Sequence, residues 1–81
     1  GVQALLMLAE SYIEQGNYNE ALNSYRKLVK MENAPKDKVY YGIATCYIEL
    51  GNMDMAKKAI QRLVTDYPES QEAMELRGFL R

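Results

Sequence analysis

The sequence predicts an all-α fold of antiparallel helical hairpins stacked side by side, and three observations carry that prediction. Residues 12–17 read YIEQGN and residues 47–52 read YIELGN, five identities in six at an offset of 35. The flanks keep the offset: Ala9 pairs with Ala44, Ala21 with Ala56, Leu28 with Leu63 and Val29 with Val64. This is an internal repeat, and a period of that length marks an arrayed architecture. Second, apolar residues recur at helical spacing throughout, with no sustained period-two alternation that would indicate a strand. Third, the breaks between helical stretches carry glycine, asparagine or proline.

The elements follow in order. In residues 2–15, Leu5, Leu8, Ala9 and Tyr12 form a stripe at i, i+3, i+4 and i+7. Gly16 tolerates the positive φ that ends a helix, and Asn17 supplies a capping side chain to open the next. Glu20, three residues on, gives an arrangement close to a capping box. Ala21, Leu22, Tyr25, Leu28 and Val29 give the apolar face of a second helix over 18–31. Pro35 fits the first turn of a third helix over 36–50, with Tyr40, Ile43, Ala44 and Tyr47 as its stripe. Gly51 and Asn52 repeat the stop and start, and Ala56, Ile60, Leu63 and Val64 mark a fourth helix over 53–66. Pro68 precedes a fifth over 69–80. Connections this short make successive helices antiparallel. The chain is expected to be one domain over 1–81: a first repeat at 2–35, a second at 36–69, and a capping helix or partial third repeat at 70–81. Starting on Gly1 rather than methionine, it is expected to be a fragment of a longer protein.

Composition narrows the function classes. No apolar run approaches the ~18 residues that a membrane span needs; ALLMLA at 4–9 is the longest. A net charge of −1 gives no electrostatic reason to expect nucleic acid, which calls for a basic face. A single cysteine cannot form an internal disulfide.

At fixed steps the two halves resemble the tetratricopeptide repeat. The first shows Leu5, Leu8, Ala9, Tyr12, Gly16, Tyr18, Ala21, Tyr25 and Leu28 at the motif positions. The second shows Tyr40, Ile43, Ala44, Tyr47, Gly51, Met53, Ala56, Ile60, Leu63 and Pro68. Leu28 and Leu63 depart from the usual small residue, and Pro35 gives the first repeat a slightly longer linker. The resemblance implies a right-handed α-α superhelix. The end of the second repeat also resembles a bacterial subgroup of cell-envelope assembly proteins, through Tyr67, Pro68, Ser70 and Ala73. Pentatricopeptide repeats, which bind single-stranded RNA, are a rival that KVYYGIATCYIELGNMDMAKKA is similar to. Against them stand the charge balance and the acidic first helices, because RNA affinity draws on phosphate neutralisation.

The family resemblance implies that the first helix of each hairpin lines a concave groove and the second forms the convex back. Carried onto this chain, the groove positions are Gln3, Leu6, Glu10, Ile13 and Glu14, then Lys38, Tyr41, Thr45, Ile48 and Glu49, with Glu72 and Glu75 extending the lining. Charge is sorted accordingly. Residues 2–16 hold Glu10 and Glu14 and no base, while Arg26, Lys27, Lys30, Lys57, Lys58 and Arg62 fall on the second helices. Such a groove suits an amphipathic or extended partner segment bearing Lys or Arg. Chaperone co-factors of this family grip a C-terminal carboxylate with Lys and Asn, but Leu6, Glu10 and Gly42 occupy those positions here, so acidic chaperone tails are not expected to bind.

Nothing points to catalysis. The sequence has no histidine, hence neither the commonest general base nor the commonest metal ligand. Cys46 sits among packing positions and reads as a small hydrophobe. Glu10 and Glu14 at i, i+4 are ordinary surface chemistry, so neither metal nor cofactor is expected. Tyr12, Tyr25 and Tyr47 occupy packing positions; Tyr41 is a contact candidate. A solenoid's terminal units need a polar outer face, yet Leu5, Leu6, Met7 and Leu8 are consecutive and cover every side of the first helix. They are therefore a candidate self-association edge, whether for a homodimer or for neighbouring repeats. The expectation is a non-catalytic module that offers an apolar, acidic groove to a protein or peptide. A structural self-assembly segment is the alternative, and RNA binding the minor one.

Overall fold

In a computed structural model that describes residues 1–80, the chain forms five α-helices in the expected order. They are α1 (Val2–Glu14), α2 (Tyr18–Val29), α3 (Lys36–Glu49), α4 (Met53–Asp66) and α5 (Gln71–Leu76), followed by a 3-10 turn at Arg77–Leu80. The fold class is all-α, as expected. Each of the first four helices packs on its successor, and α5 returns against both α3 and α4. The shortest extent of the Cα trace, 18 Å, corresponds to two helix layers. α1, α3 and α5 make one layer, and α2 and α4 the other.

The repeated phrase builds the same hairpin stop twice. Gly16 and Gly51 adopt φ of 75° and 77°. The N–H of Gly16 donates to the Ile13 carbonyl at 2.9 Å, and that of Asn17 to the Tyr12 carbonyl at 2.8 Å. Gly51 and Asn52 donate to Ile48 and Tyr47 at 3.0 and 2.9 Å. These are paired Schellman bonds, which satisfy carbonyls that a helix end would otherwise leave orphaned.

Two local expectations are corrected. The Asn17 side chain makes no capping bond, so the Asn17–Glu20 capping box does not form. Asn52, on nearly the same backbone, does cap: its Oδ1 accepts from the Met55 N–H at 3.3 Å. The difference is one of side-chain rotamer, since φ and ψ agree within 10°. The fifth helix is shorter than the expected 69–80. The Ser70 Oγ accepts from the Ala73 N–H at 3.0 Å and fixes the start at Gln71. At the other end Gly78, a poor helix former, sits where the chain tightens into the 3-10 turn. The expected boundary at residue 81 lies outside the described residues.

The core rests on repeat-matched positions. Ala9, Ala21, Ala44 and Ala56 are fully buried, and their small side chains let helices approach closely. Leu28 and Leu63, larger than the motif's usual residue, are fully buried as well. Each adds on the order of 2 kcal/mol of burial. The expected stripe on α1 is rotated: Leu6 joins the core at 8% exposure, while Leu8 is 44% exposed. The repeat partner of Leu8 is Ile43, which touches both core clusters because α3 has helices on either side of it. Among the described residues α1 has its neighbours on one side only, so that face finds no cover.

Candidate functional site

A cleft of about 300 Å³ opens on the layer formed by α1, α3 and α5. α1 supplies Glu10 and Ile13, α3 supplies Lys38, Tyr41, Gly42 and Thr45, and α5 supplies Glu72. The helical spacing sets this out directly: Lys38, Tyr41, Gly42 and Thr45 lie at i, i+3, i+4 and i+7 on one face of α3.

Tyr25 is the exception, because it reaches the cleft from α2 in the other layer. Gly42 makes that possible: a Cβ there would collide with the Tyr25 ring. The ring is only 3% exposed. Burial first, then the nearby Cys46 and Glu10 charges, push its hydroxyl up to about 12.

A polar network holds the far wall. The Tyr41 hydroxyl donates to Glu75 Oε2 at 2.8 Å, and Lys38 Nζ pairs with Glu72 Oε2 at 3.3 Å. The hydrogen bond to Glu75 raises the Tyr41 hydroxyl above its ordinary range, with burial and the Glu75 and Glu72 charges adding to it. The Thr45 hydroxyl is turned back onto the Tyr41 carbonyl at 2.9 Å. Lys38 thus neutralises Glu72, whereas among the described residues Glu10 has no ion-pair partner. The cleft is therefore acidic at its α1 side and apolar along Ile13 and the tyrosines.

Of the expected groove residues, the structure brings together Glu10, Ile13, Tyr41 and Thr45, with Lys38 and Glu72 beside them. Leu6 is corrected: it is buried in the core and offers little surface to a partner. Glu14 and Glu49 are exposed, and Ile48 is half-buried, but none of the three lines the cleft. Of the expected edge, Met7 (61% exposed) and Leu8 face outward, while Leu5 is half-buried and Leu6 turns inward.

Tyr25 and Gly42 are the lining residues that sequence reasoning missed as a pair. The available signal was a glycine in a helix interior where the first repeat has Met7, together with a tyrosine where the second has Ile60. One position gains the bulk that the other gives up.

Cys46 is fully buried, and burial pushes its thiol up to about 11. Among the described residues no group of three or more Cys, Asp or Glu could hold a metal ion. No helix among the described residues is long and apolar enough to cross a membrane.

A tetratricopeptide repeat family model matches residues 12–78. The chain is 33% identical over 64 residues to the human Intraflagellar transport protein 88 homolog, covering 79% of this chain and 8% of that protein. It is 29% identical over 79 residues to the Protein CTR9 homolog of Arabidopsis thaliana, covering 98% of this chain and 7% of that protein. The chain thus spans less than a tenth of the length of either relative. No solved structure matches it significantly. Both relatives are eukaryotic, so the likeness to a bacterial envelope subgroup finds no support. Its Ser70 has a local role instead, as the cap of α5.

Proposed function

The chain belongs to the tetratricopeptide repeat family, and on that premise we propose that it is a non-catalytic protein-interaction module. Residues 2–35 and 36–69 are its two repeats, and the remainder closes the end. Its concave cleft takes a peptide or helix of a partner protein that carries Lys or Arg beside apolar side chains. The observation that supports this most is the Glu10 carboxylate, without an ion-pair partner among the described residues, next to Ile13 and Tyr41 in one cleft. A cation seated there meets a carboxylate while its apolar neighbours cover the tyrosine edges. Glu14 and Glu49, exposed on the same helices, extend the negative field around the approach.

The test is a fluorescence-anisotropy titration with an amphipathic Lys/Leu peptide at low salt. Reversing Glu10, Glu14 and Glu49 to Lys is expected to weaken binding by about tenfold or more. Undiminished binding overturns the groove assignment. A single-stranded RNA titrated across salt separates the RNA reading, which predicts a steep salt slope.

The outward-facing Met7 and Leu8 favour a second reading, in which α1 stacks against another helical unit, either a second copy or an adjacent repeat. Sedimentation equilibrium at micromolar concentration tests the copy: a monomer with no concentration dependence rules out a dimer.

A further inference from the structure

A second cleft lies on the other side of the molecule, and it inverts the chemistry of the first. It exists because α2 and α4 each pack on α3 while their own Cα atoms stay more than 8 Å apart. A strip of α3 is left showing between them, and Tyr40, Ile43 and Tyr47 at i, i+3 and i+7 form its floor. These residues lie on the face of α3 opposite Tyr41 and Thr45. On the α4 wall the small Ala59 leaves a recess, and the cleft, open to solvent, measures about 250 Å³. A cavity of about 150 Å³ already accepts benzene, so one large apolar side chain fits.

The rim is cationic. Arg26 stands on the α2 wall, with Lys58 and Arg62 on the α4 wall. Arg26 gives only two of its five N–H donors to neutral groups, Asn23 Oδ1 at 3.2 Å and the Tyr47 hydroxyl at 3.1 Å. Among the described residues neither Arg26 nor Lys58 has a carboxylate within ion-pair distance. Arg62 pairs with Asp66 at 2.9 Å on an exposed flank and lies over the Tyr40 ring, 5.8 Å from its centroid.

We propose that this cleft is a docking site for an acidic peptide segment that carries one bulky apolar side chain. The apolar anchor fills the recess over Ile43 and Ala59. Flanking Asp or Glu side chains meet Arg26 and Lys58, where a guanidinium can hold a carboxylate by two parallel hydrogen bonds. The floor favours a peptide over single-stranded RNA. Base stacking needs an open aromatic face, but Tyr40 is covered by Arg62 and Tyr47 is tied to Arg26. The site shares no lining residue with the concave cleft, so it stands or falls separately from the function proposed above.

The test uses the whole chain and a fluorescein-labelled peptide with a central Phe among Glu and Asp residues. Anisotropy at low salt should show saturable binding. Arg26→Glu with Lys58→Glu should weaken it about tenfold or more, and so should replacing the peptide's Phe by Ser. Both substituted residues are exposed, and circular dichroism verifies that helicity is kept; if it is not, Arg26→Gln with Lys58→Gln gives the same comparison. Three outcomes overturn the proposal: no binding of the acidic Phe peptide, equal binding to the charge-altered protein, or tighter binding of a single-stranded RNA oligonucleotide with the same sensitivity to the substitutions.

Discussion

Gly42→Ala isolates the contact on which the concave cleft depends. In a helix interior the exchange should help, since alanine is about 1 kcal/mol better than glycine there. Here the new methyl meets the Tyr25 ring. Overpacking a filled site costs roughly 1–3 kcal/mol. The ring cannot swing out cheaply, because it is almost wholly buried among Leu22, Leu28 and Val39 in the first core cluster. The upper part of that range therefore applies, and the net loss is about 1–2 kcal/mol. For a domain of this size each kcal/mol lowers Tm by roughly 4–8 °C.

The decisive measurement is a double-mutant cycle with Tyr25→Leu, followed by urea unfolding at 222 nm. Leucine removes the ring atoms that the methyl would strike, so in that background Gly42→Ala should stabilise by the propensity term alone. The coupling between the two sites is then about 2–3 kcal/mol. If Gly42→Ala raises stability equally in both backgrounds, the close approach of Tyr25 does not exist and the cleft is not built as described.

Two further expectations concern stability. Asn52→Ala and Ser70→Ala each remove a side-chain cap and should each cost about 1 kcal/mol in thermal melts, whereas Asn17→Ala, which removes none, should cost less than half as much; equal losses at Asn17 and Asn52 would contradict the asymmetry. Tyr25 and Cys46, with Tyr41 adding to them, shape the alkaline limb; the first two have folded values of about 12 and 11, above their ordinary 10 and 9. The unfolded chain gives up these protons first, so the stability they confer is complete below about pH 9 and is lost as pH rises toward 12. Urea midpoints from pH 8 to 11 should fall in the wild type and fall less in Tyr25→Phe with Cys46→Ala; parallel curves refute the assignment.

Much of the architecture was legible because its signals are local. The Gly-Asn pairs, the helical stripes and the 35-residue offset each involve neighbours along the chain, and the Schellman stops form where that reading put them. Glu10, Ile13, Tyr41 and Thr45, which line the cleft, were named through the family resemblance, with helical spacing supporting only the α1 pair. The inward face was not legible at Leu6 and Leu8. Both are apolar, two residues apart, and only the position of α2 and α3 decides which of them turns inward. Nor could spacing reveal the basic cleft, which is a gap between two helices that belong to different repeats.

By itself, then, the sequence determined a repeating all-α chain with two near-identical hairpin stops and charge sorted between first and second helices. Those features follow from backbone preferences and periodicity, which act within a few residues. The tertiary structure decided which surfaces the repeat leaves open. Tyr25 crosses from the other layer only because Gly42, in the next repeat, lacks a side chain. Tyr40, Ile43 and Tyr47 stay accessible only because the backbones of α2 and α4 are held apart on α3. Both outcomes depend on the packing of side chains far apart in sequence, where volume and distance, not propensity, select the result.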